Sequence, residues 1–326
     1  MTRPDPVDRV EVLVLVDNLT DSLSSNPPEV SSEWSRFWTG GRIRPVTGAN
    51  TCCAHHGLSL LITAWRGQEK RTLLFDAGPE GATFLRNSKV LSADLGQVDA
   101  VMLSHGHWDH AGGLIDAIAE IARQRGDRSL PCVVHPDMFA ERGMQRAGGV
   151  VIPLGPMPSA DDLTAAGATM VSSREAMWIA DGMFHVSGEI PRTTAYEKGL
   201  PGQMRRESES APWQPDPLLM DERSVSVHLR GKGQFVFSAC SHAGIVNVLR
   251  HAQSSFPETP LYGAMGGLHL SGSTEAIIPD TIADLSQFGL KLLAPGHCTG
   301  WRAMAAMAQV FGHEFVPSAV GKLYQL

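Results

Sequence analysis

The sequence is short of the residues that mark several protein classes. Five cysteines in 326 residues, an odd number without paired spacing, argue against a disulfide framework and for a reducing compartment. No block of Lys or Arg is present. The net charge of −7, from 27 basic against 34 acidic residues, lacks the electrostatic footprint of a nucleic-acid binder. Long hydrophobic runs are missing too. The longest near the N-terminus, Val12 to Val16, is closed off by Glu11 and Asp17 and reads as a strand, not a signal peptide or membrane span. There is no solenoid repeat, no low-complexity linker, no P-loop, no GxGxxG and no Ser-His-Asp motif. A chain that is 43% hydrophobic and 19% charged is an ordinary globular one, expected to be soluble and cytoplasmic, with no membrane or nucleic-acid partner.

The length allows about two domains or one large layered domain, and the absence of a linker favours a single domain over 1–326. β-Branched runs at Glu11–Val16, Leu58–Ala64, Thr72–Phe75, Ala100–Leu103, Cys132–Val134, Val225–Leu229 and Gln234–Phe237 predict strands. Apolar stripes at helical spacing follow. They run over Leu114 to Ala122, Ile245 to Leu249, Ile278 to Leu285, and Met304 to Phe311. Strands and helices interleaved in this way imply an α/β layered fold. Two excursions interrupt it, at about 26–50 (with Trp34, Phe37 and Trp38) and 200–217 (with Trp213). Each reads as a long loop pinned by an aromatic, serving as a lid or contact surface or as a solvated insertion. The first also offers a contact for a homodimer.

One local grammar recurs: a hydrophobic strand, a His-bearing loop, a glycine, then a helix. It reads AVMLSHGHWDHAGGLIDAI at 100–118, QFVFSACSHAGIVNVL at 234–249 and KLLAPGHCTGWRAMAAM at 291–307, with a weaker copy, LYGAMGGLHLSG, at 261–272. In layered α/β folds such loops converge beyond the carboxyl ends of the strands. Thirteen histidines include many that only pack or face solvent, but several arriving at one rim by the same grammar point to a metal site. His105 and His107, two residues apart, can share one cation, and Asp109 and His110 can reach a second. Two ions about 3.5–4 Å apart are the arrangement used for hydrolytic displacement. Nitrogen-rich ligation favours zinc, two ions per chain, with Mn²⁺, Co²⁺ and Fe²⁺ left open.

SHGHWDHAGG matches the HxHxDH signature of the metallo-β-lactamase superfamily, and Leu74-Phe75-Asp76-Ala77-Gly78 resembles its upstream aspartate–glycine motif. HHGLSLLI at 55–62, SGEIPRTT at 187–194, DERS at 221–224, CSHAGIVN at 240–247, GGLHL at 266–270 and PGHCTG at 295–300 resemble the branch related to the dihydropterin ribofuranosyl-aminobenzene phosphate synthases. The resemblance implies a four-layer αβ/βα sandwich with the metal site at one edge between two sheets. It implies His105 and His107 on the first metal and Asp109, His110 and His297 on the second. Asp76 would orient the histidine loop, unless it only forms a turn.

The strand over 234–238 ends in Ala239-Cys240-Ser241-His242, without the bridging aspartate usual in the superfamily's hydrolases. His242 is the choice for the remaining ligand, while Cys240 is a thiolate ligand or a small packed residue. His269 can contact substrate, donate a proton or replace His242 on the metal. Glu189 reads as a base or hydrogen-bond acceptor, and Arg192 as an anion clamp; the two can equally form an ion pair that holds a turn. His56 is placed on the pocket wall. His55 and the Cys52-Cys53 pair have no such claim, His185 reads as structural and Cys298 as packing, and His135 is left open. The function expected is a metal-dependent hydrolase of a small-molecule substrate, with metal-bound hydroxide attacking a carbonyl or phosphoryl centre, Asp109 orienting it and His269 assisting. The alternative is a metal-dependent synthase or transferase acting on a pterin-like or aromatic substrate. Trp34, Trp38, Trp108 and Trp213 would then offer stacking faces.

Overall fold

A computed structural model describes residues 4–35, 45–126 and 129–326. Two large sheets face each other. One has eight strands, in the order Val30–Ser31, Leu323–Gln325, Arg9–Val16, Ser59–Arg66, Glu69–Phe75, Val98–Met102, Leu130–Val134, Ala168–Ser172. The other has six: Met177–Ile179, Phe184–Val186, Val225–Leu229, Gly233–Ser238, Leu261–Gly267, Leu292–Gly296.

Strand alternation builds the layers. Val10, Val12, Val14, Leu60, Ile62, Leu73, Phe75 and Met102 from the first sheet meet Val225, Val227, Phe235, Phe237, Met265 and Ala294 from the second in a central core. Their alternate neighbours face outward, as successive strand side chains must. Leu13, Leu15, Leu61, Leu74 and Val101 pack against the helices Gly81–Val90 and Leu114–Arg125 through Phe84, Leu114, Ile118 and Ile121. Val236, Ala264 and Leu293 pack against Ile245–Ser255, Ile278–Leu285 and Trp301–Phe311 through Val246, Leu249, Leu285 and Met307. The four helical stripes read from the sequence fall on these outer layers. The result is the αβ/βα sandwich. Among the described residues no helix is long and apolar enough to cross a membrane.

The excursion at 200–217 is more ordered than a pinned loop. Gln203–Arg206 pairs antiparallel with Glu141–Gln145 on one side and Gln214–Pro215 on the other, and Val151–Pro153 completes a four-stranded sheet. Trp213 lies under the Arg206 guanidinium, 4.6 Å from ring centre to Cζ, an anchor within this sheet and not part of a stacking face for substrate. In the earlier excursion Val30–Ser31 joins the first sheet and Glu33 is buried, accepting the Cys52 N–H at 2.6 Å. Trp34 is half-buried; Phe37 and Trp38 lie outside the described residues.

Each large sheet has a parallel half, formed by Glu69–Phe75 through Ala168–Ser172 in one and Gly233–Ser238 through Leu292–Gly296 in the other. The carboxyl ends of these strands open toward one edge of the sandwich, the position at which ligands bind in such sheets.

Candidate metal centre

Just past those strand ends the backbone is forced into unusual conformations. Of eight non-glycine residues with positive φ among the described residues, four lie here: Asp76 (59°), Ser241 (56°), His269 (44°) and His297 (46°). Left-handed backbone costs an L-residue roughly 1–2 kcal/mol, and its concentration at strand tips turns side chains inward that regular geometry would send elsewhere. Gly106, between the first two histidines, has no room for a side chain, since a Cβ would run into the Met138 carbonyl. Gly106→Ala is expected to push this loop off the Met138 backbone, lowering both the melting temperature and the retained metal, read by calorimetry and elemental analysis.

The imidazoles converge. His105, His107 and His242 bring one ligand atom each within 4.8 Å of one another, with ring centres 4.6–4.8 Å apart. On the other side Asp109 Oδ2 lies 3.4 Å from His297 Nε2, 3.8 Å from His110 Nε2 and 3.3 Å from His56 Nε2. The His105 and His110 rings, 4.4 Å apart, join the two halves. His107 Nε2, His110 Nε2 and both ring nitrogens of His242 are buried without a hydrogen-bond partner. Leaving such atoms unpaired costs about 1–3 kcal/mol each, so four together mark a place built for another occupant. The donors present suit a divalent cation.

Electrostatics agrees. Burial, reinforced by the neighbouring histidines, holds His105 and His242 well below the ordinary imidazole value, and burial lowers His107 to about 3. These rings are neutral, with lone pairs to give. Burial alone would raise Asp109, but His110, His297 and His56 outweigh it and hold the carboxylate well below its usual range. Burial opposes charge on His110, yet Asp109 and Asp76 prevail and raise it from 6.5 to about 9. Without metal, His110 is therefore protonated at neutral pH. Its folded value exceeds the unfolded one, so the stability it contributes is complete below about pH 6.5 and is lost as pH rises through about 9. A cation must displace that proton. Metal binding near pH 7.5 is expected to release about one proton from His110, beyond any released by a coordinating thiol, measurable by titration calorimetry in buffers of different ionisation heat.

Buried polar groups fix the ligands. Asp76 accepts from Ser104 N–H and Ser104 Oγ (both 2.7 Å) and lies 2.7 Å from His110 Nδ1. Asn18 Oδ1 is 3.0 Å from His297 Nδ1, and Asn18 Nδ2 is 3.1 Å from His56 Nδ1. Such partners set which ring nitrogen is free for metal. Asp17 accepts the His297 N–H at 3.0 Å, Asp221 the Gly106 N–H at 2.9 Å, and Glu222 the N–H groups of His242 and Ala243 at 2.7 and 2.6 Å. Arg223, also buried, donates to the carbonyls of Ser173, Glu175 and Ser187. DERS thus ties four separate loops together. Sequence reasoning assigned these acids no role. The available signals were an acid pair directly before an apolar strand and an aspartate closing the first one.

His269 sits at the rim, Nδ1 3.4 Å from Cys240 Sγ and its ring 4.4 Å from that of His242. Cys240 Sγ is 3.0 Å from Cys298 Sγ and 3.9 Å from His297 Nε2. Burial, with Cys298 alongside, pushes the Cys240 thiol well up, a penalty that a coordinating cation reverses. A cleft of about 410 Å³ opens above. Its floor includes His107, Asp109, His242, His269 and His297, and its wall His56, Trp108, Met144, Leu154 and Leu200. The last three come from the small sheet and its flanks.

Other sequence-selected residues go elsewhere. Glu189 pairs with Arg174 (3.0 Å) and lies 3.1 Å from His135 Nε2. Arg192 donates to the carbonyls of Ile190, Leu218 and Leu219. Neither lines the cleft, and neither pairs with the other. The clamp, base and mutual ion-pair readings are corrected accordingly: carbonyls of neighbouring turns take up the guanidinium, and Arg174 claims the carboxylate. His185 stacks among Trp178 and Phe256, and His55 is a surface residue 3.9 Å from Glu80.

Residues 55–165 match the metallo-beta-lactamase superfamily. A Methanocaldococcus jannaschii protein named 7,8-dihydropterin-6-methyl-4-(beta-D-ribofuranosyl)-aminobenzene-5'-phosphate synthase is 28% identical over 281 residues, 83% of this chain and 90% of that one. An uncharacterized protein of the same organism is 28% identical over 270 residues, 83% of this chain and 93% of the other. A crystal structure of a metal-dependent hydrolase of the beta-lactamase superfamily superposes with a TM-score of 0.69 at 19% identity, covering 97% of this chain and 98% of that one, a likeness of fold. The matched segment, the relatives and the shared sandwich agree: residues 55–165 resemble the metallo-beta-lactamase superfamily, and the chain as a whole has that fold.

Proposed function

We propose that this protein is a metal-dependent hydrolase of a small molecule with a reactive carbonyl or phosphoryl centre. The observation that carries this reading is the set of buried, unpartnered imidazole nitrogens on the floor of an open cleft. His105, His107 and His242 would hold one ion, and Asp109, His110 and His297 a second. Imidazole-rich donors with one carboxylate suit zinc. Bound divalent ions supply Lewis-acid activation of water and of the centre under attack.

The protein's own groups do the rest. Asp109 Oδ2, facing His56, His110 and His297, accepts and orients a proton of the attacking water. His56, half-exposed, and His269 line the opening on either side of that point. The His269 Nδ1 edge is turned to Cys240, leaving Nε2 to hydrogen-bond a developing oxyanion or protonate a leaving group. Trp108, Met144, Leu154 and Leu200 give the wall an apolar face that displaces water from an organic substrate.

A second reading is favoured by one finding: the M. jannaschii relative is named a synthase, and the match spans most of both chains. On that reading the same centre promotes group transfer to an aromatic or pterin-like acceptor lying along Trp108. Rates of the zinc-loaded protein on esters, lactones and phosphodiesters, set against condensation of a pterin with an aminobenzene riboside, separate the two. Hydrolysis that is metal-dependent and faster than condensation is expected; condensation alone would replace the hydrolase reading.

A further inference from the structure

The centre has an uneven charge balance. Among the described residues five groupings of potential ligand atoms occur, and Asp109 is the only carboxylate in any of them. Two divalent cations placed there would bring four positive charges into a buried site against one coordinating anion, and uncompensated buried charge is costly. A second anion among the protein's own groups, between the two halves, would offset that imbalance.

One sulfur is in that place. Cys240 enters three of the five groupings: with His105 and His110, with His242 and His269, and with His297 and Cys298. Its partners thus include His105 and His242 from one half and His110 and His297 from the other. The residue follows the fully buried strand Gly233–Ser238, on a loop held by Glu222 through the adjacent His242 and Ala243 N–H groups. Ser241, next in the chain, is locked by Ser238 Oγ at 2.8 Å and by donating to the Gly267 carbonyl at 2.7 Å. Cys240 therefore cannot swing out of the site without breaking this turn.

We propose that Cys240 Sγ is a ligand shared by both metal ions, joining the ion of His105, His107 and His242 to that of Asp109, His110 and His297. The inference rests on the two-ion reading above and adds the group that couples the ions. On metal binding the thiol gives its proton to solvent and the sulfur takes up both cations. Cys298 is the supporting sulfur. It lies 3.0 Å from Cys240 Sγ, donates to the Cys240 carbonyl at 3.4 Å and accepts the His269 N–H at 3.3 Å, which holds it beside the shared position. A thiolate in the shared position makes the centre soft, favouring zinc, cobalt or cadmium over manganese or magnesium.

The test is a titration of the metal-free, phosphine-reduced protein with Co²⁺ alone, following the near-ultraviolet sulfur-to-cobalt charge-transfer band with bound cobalt measured in parallel. The band is expected to grow through both the first and the second equivalent. Cys240→Ser is expected to bind cobalt with the band gone and the second ion weakened beyond the roughly 10–100-fold that loss of an outer partner costs, whereas Cys298→Ser keeps most of the band. The proposal is overturned by growth that stops at the first equivalent, by only one ion bound in all, or by a band removed by Cys298→Ser and kept by Cys240→Ser. The wild-type titration decides alone if Cys240→Ser does not fold. Cobalt bound at two equivalents without any charge-transfer band would sink the shared sulfur but leave the metal centre standing. No cobalt bound at all would remove the centre itself.

Discussion

His107→Ala is expected to lose both bound metal and turnover, and to do so without unfolding. The side chain sits on the floor of the cleft, and its Nε2 has no protein partner. Truncation therefore removes a ligand but leaves a space that water can enter. The hydrogen bond it gives up is the one to His105 Nε2, 3.0 Å from His107 Nδ1. Loss of an outer partner of a ligand costs about 10–100-fold in affinity; loss of the ligand itself should exceed the upper end of that range. Thermal denaturation shows the difference. Metal that saturates the wild-type site at about 100 times its dissociation constant adds about 2.7 kcal/mol, and the variant should show none of this shift while its metal-free melting temperature stays near that of the metal-free wild type. A variant that keeps metal and activity would dismantle the functional reading.

What the sequence made legible, and what it did not, follows from the range of the interactions. The strand-end histidines could be read because strand, loop and helix are contiguous. His105, His242, His269 and His297 each announce themselves within about ten residues, and the topology then brings them together at one edge. The strands could be read from alternation and β-branched runs for the same reason. The helix Gly81–Val90 could not, because its buried face carries Thr83, Asn87 and Ser88. Asn87 spans from Leu15 to Cys53, donating to both carbonyls and accepting the Cys53 N–H, so a polar side chain occupies an inner position and hides the period.

Long-range partners were equally hidden. The Asp17 carboxylate that fixes His297 is 280 positions away in sequence, and the Asp221 carboxylate that fixes Gly106 is 115 away. Glu189 and Arg192, three apart, suggested a pair, but tertiary structure gave each a different partner. The strand Gln203–Arg206 is polar and short, stabilised by pairing with a segment some sixty residues earlier, and nothing local distinguishes it from a loop.

The second large effect is expected at a residue that need not touch metal. Asp76 is completely buried, and Oδ2 faces both Ser104 Oγ and His110 Nδ1. A carboxylate in that position can only accept, so Nδ1 of His110 must carry hydrogen and, once the ring gives up its second proton, Nε2 presents a lone pair toward Asp109 and the metal position. Asp76→Asn is nearly the same size and keeps an oxygen for the Ser104 N–H. The amide nitrogen, however, now faces His110 Nδ1 as a donor, and the ring satisfies it by moving its hydrogen to Nε2. The ligand lone pair is then buried on the wrong atom. The variant should fold, retain an ion at the His105, His107 and His242 position, and bind the second ion about 10–100-fold more weakly. It should also lower the His110 value, since Asp76 is one of the two carboxylates that raise it, so proton release on metal binding near neutral pH diminishes. Asp76→Ala separates orientation from mere loss of an acid. It strands the Ser104 N–H in the core at a cost of about 1–3 kcal/mol and leaves Ser104 Oγ with only His105 Nδ1, 2.9 Å away, and is expected to lower stability as well as metal content. If Asp76→Asn binds two ions as tightly as wild type, the carboxylate serves only the turn, and the tautomer of His110 is set by something other than its 2.7 Å neighbour.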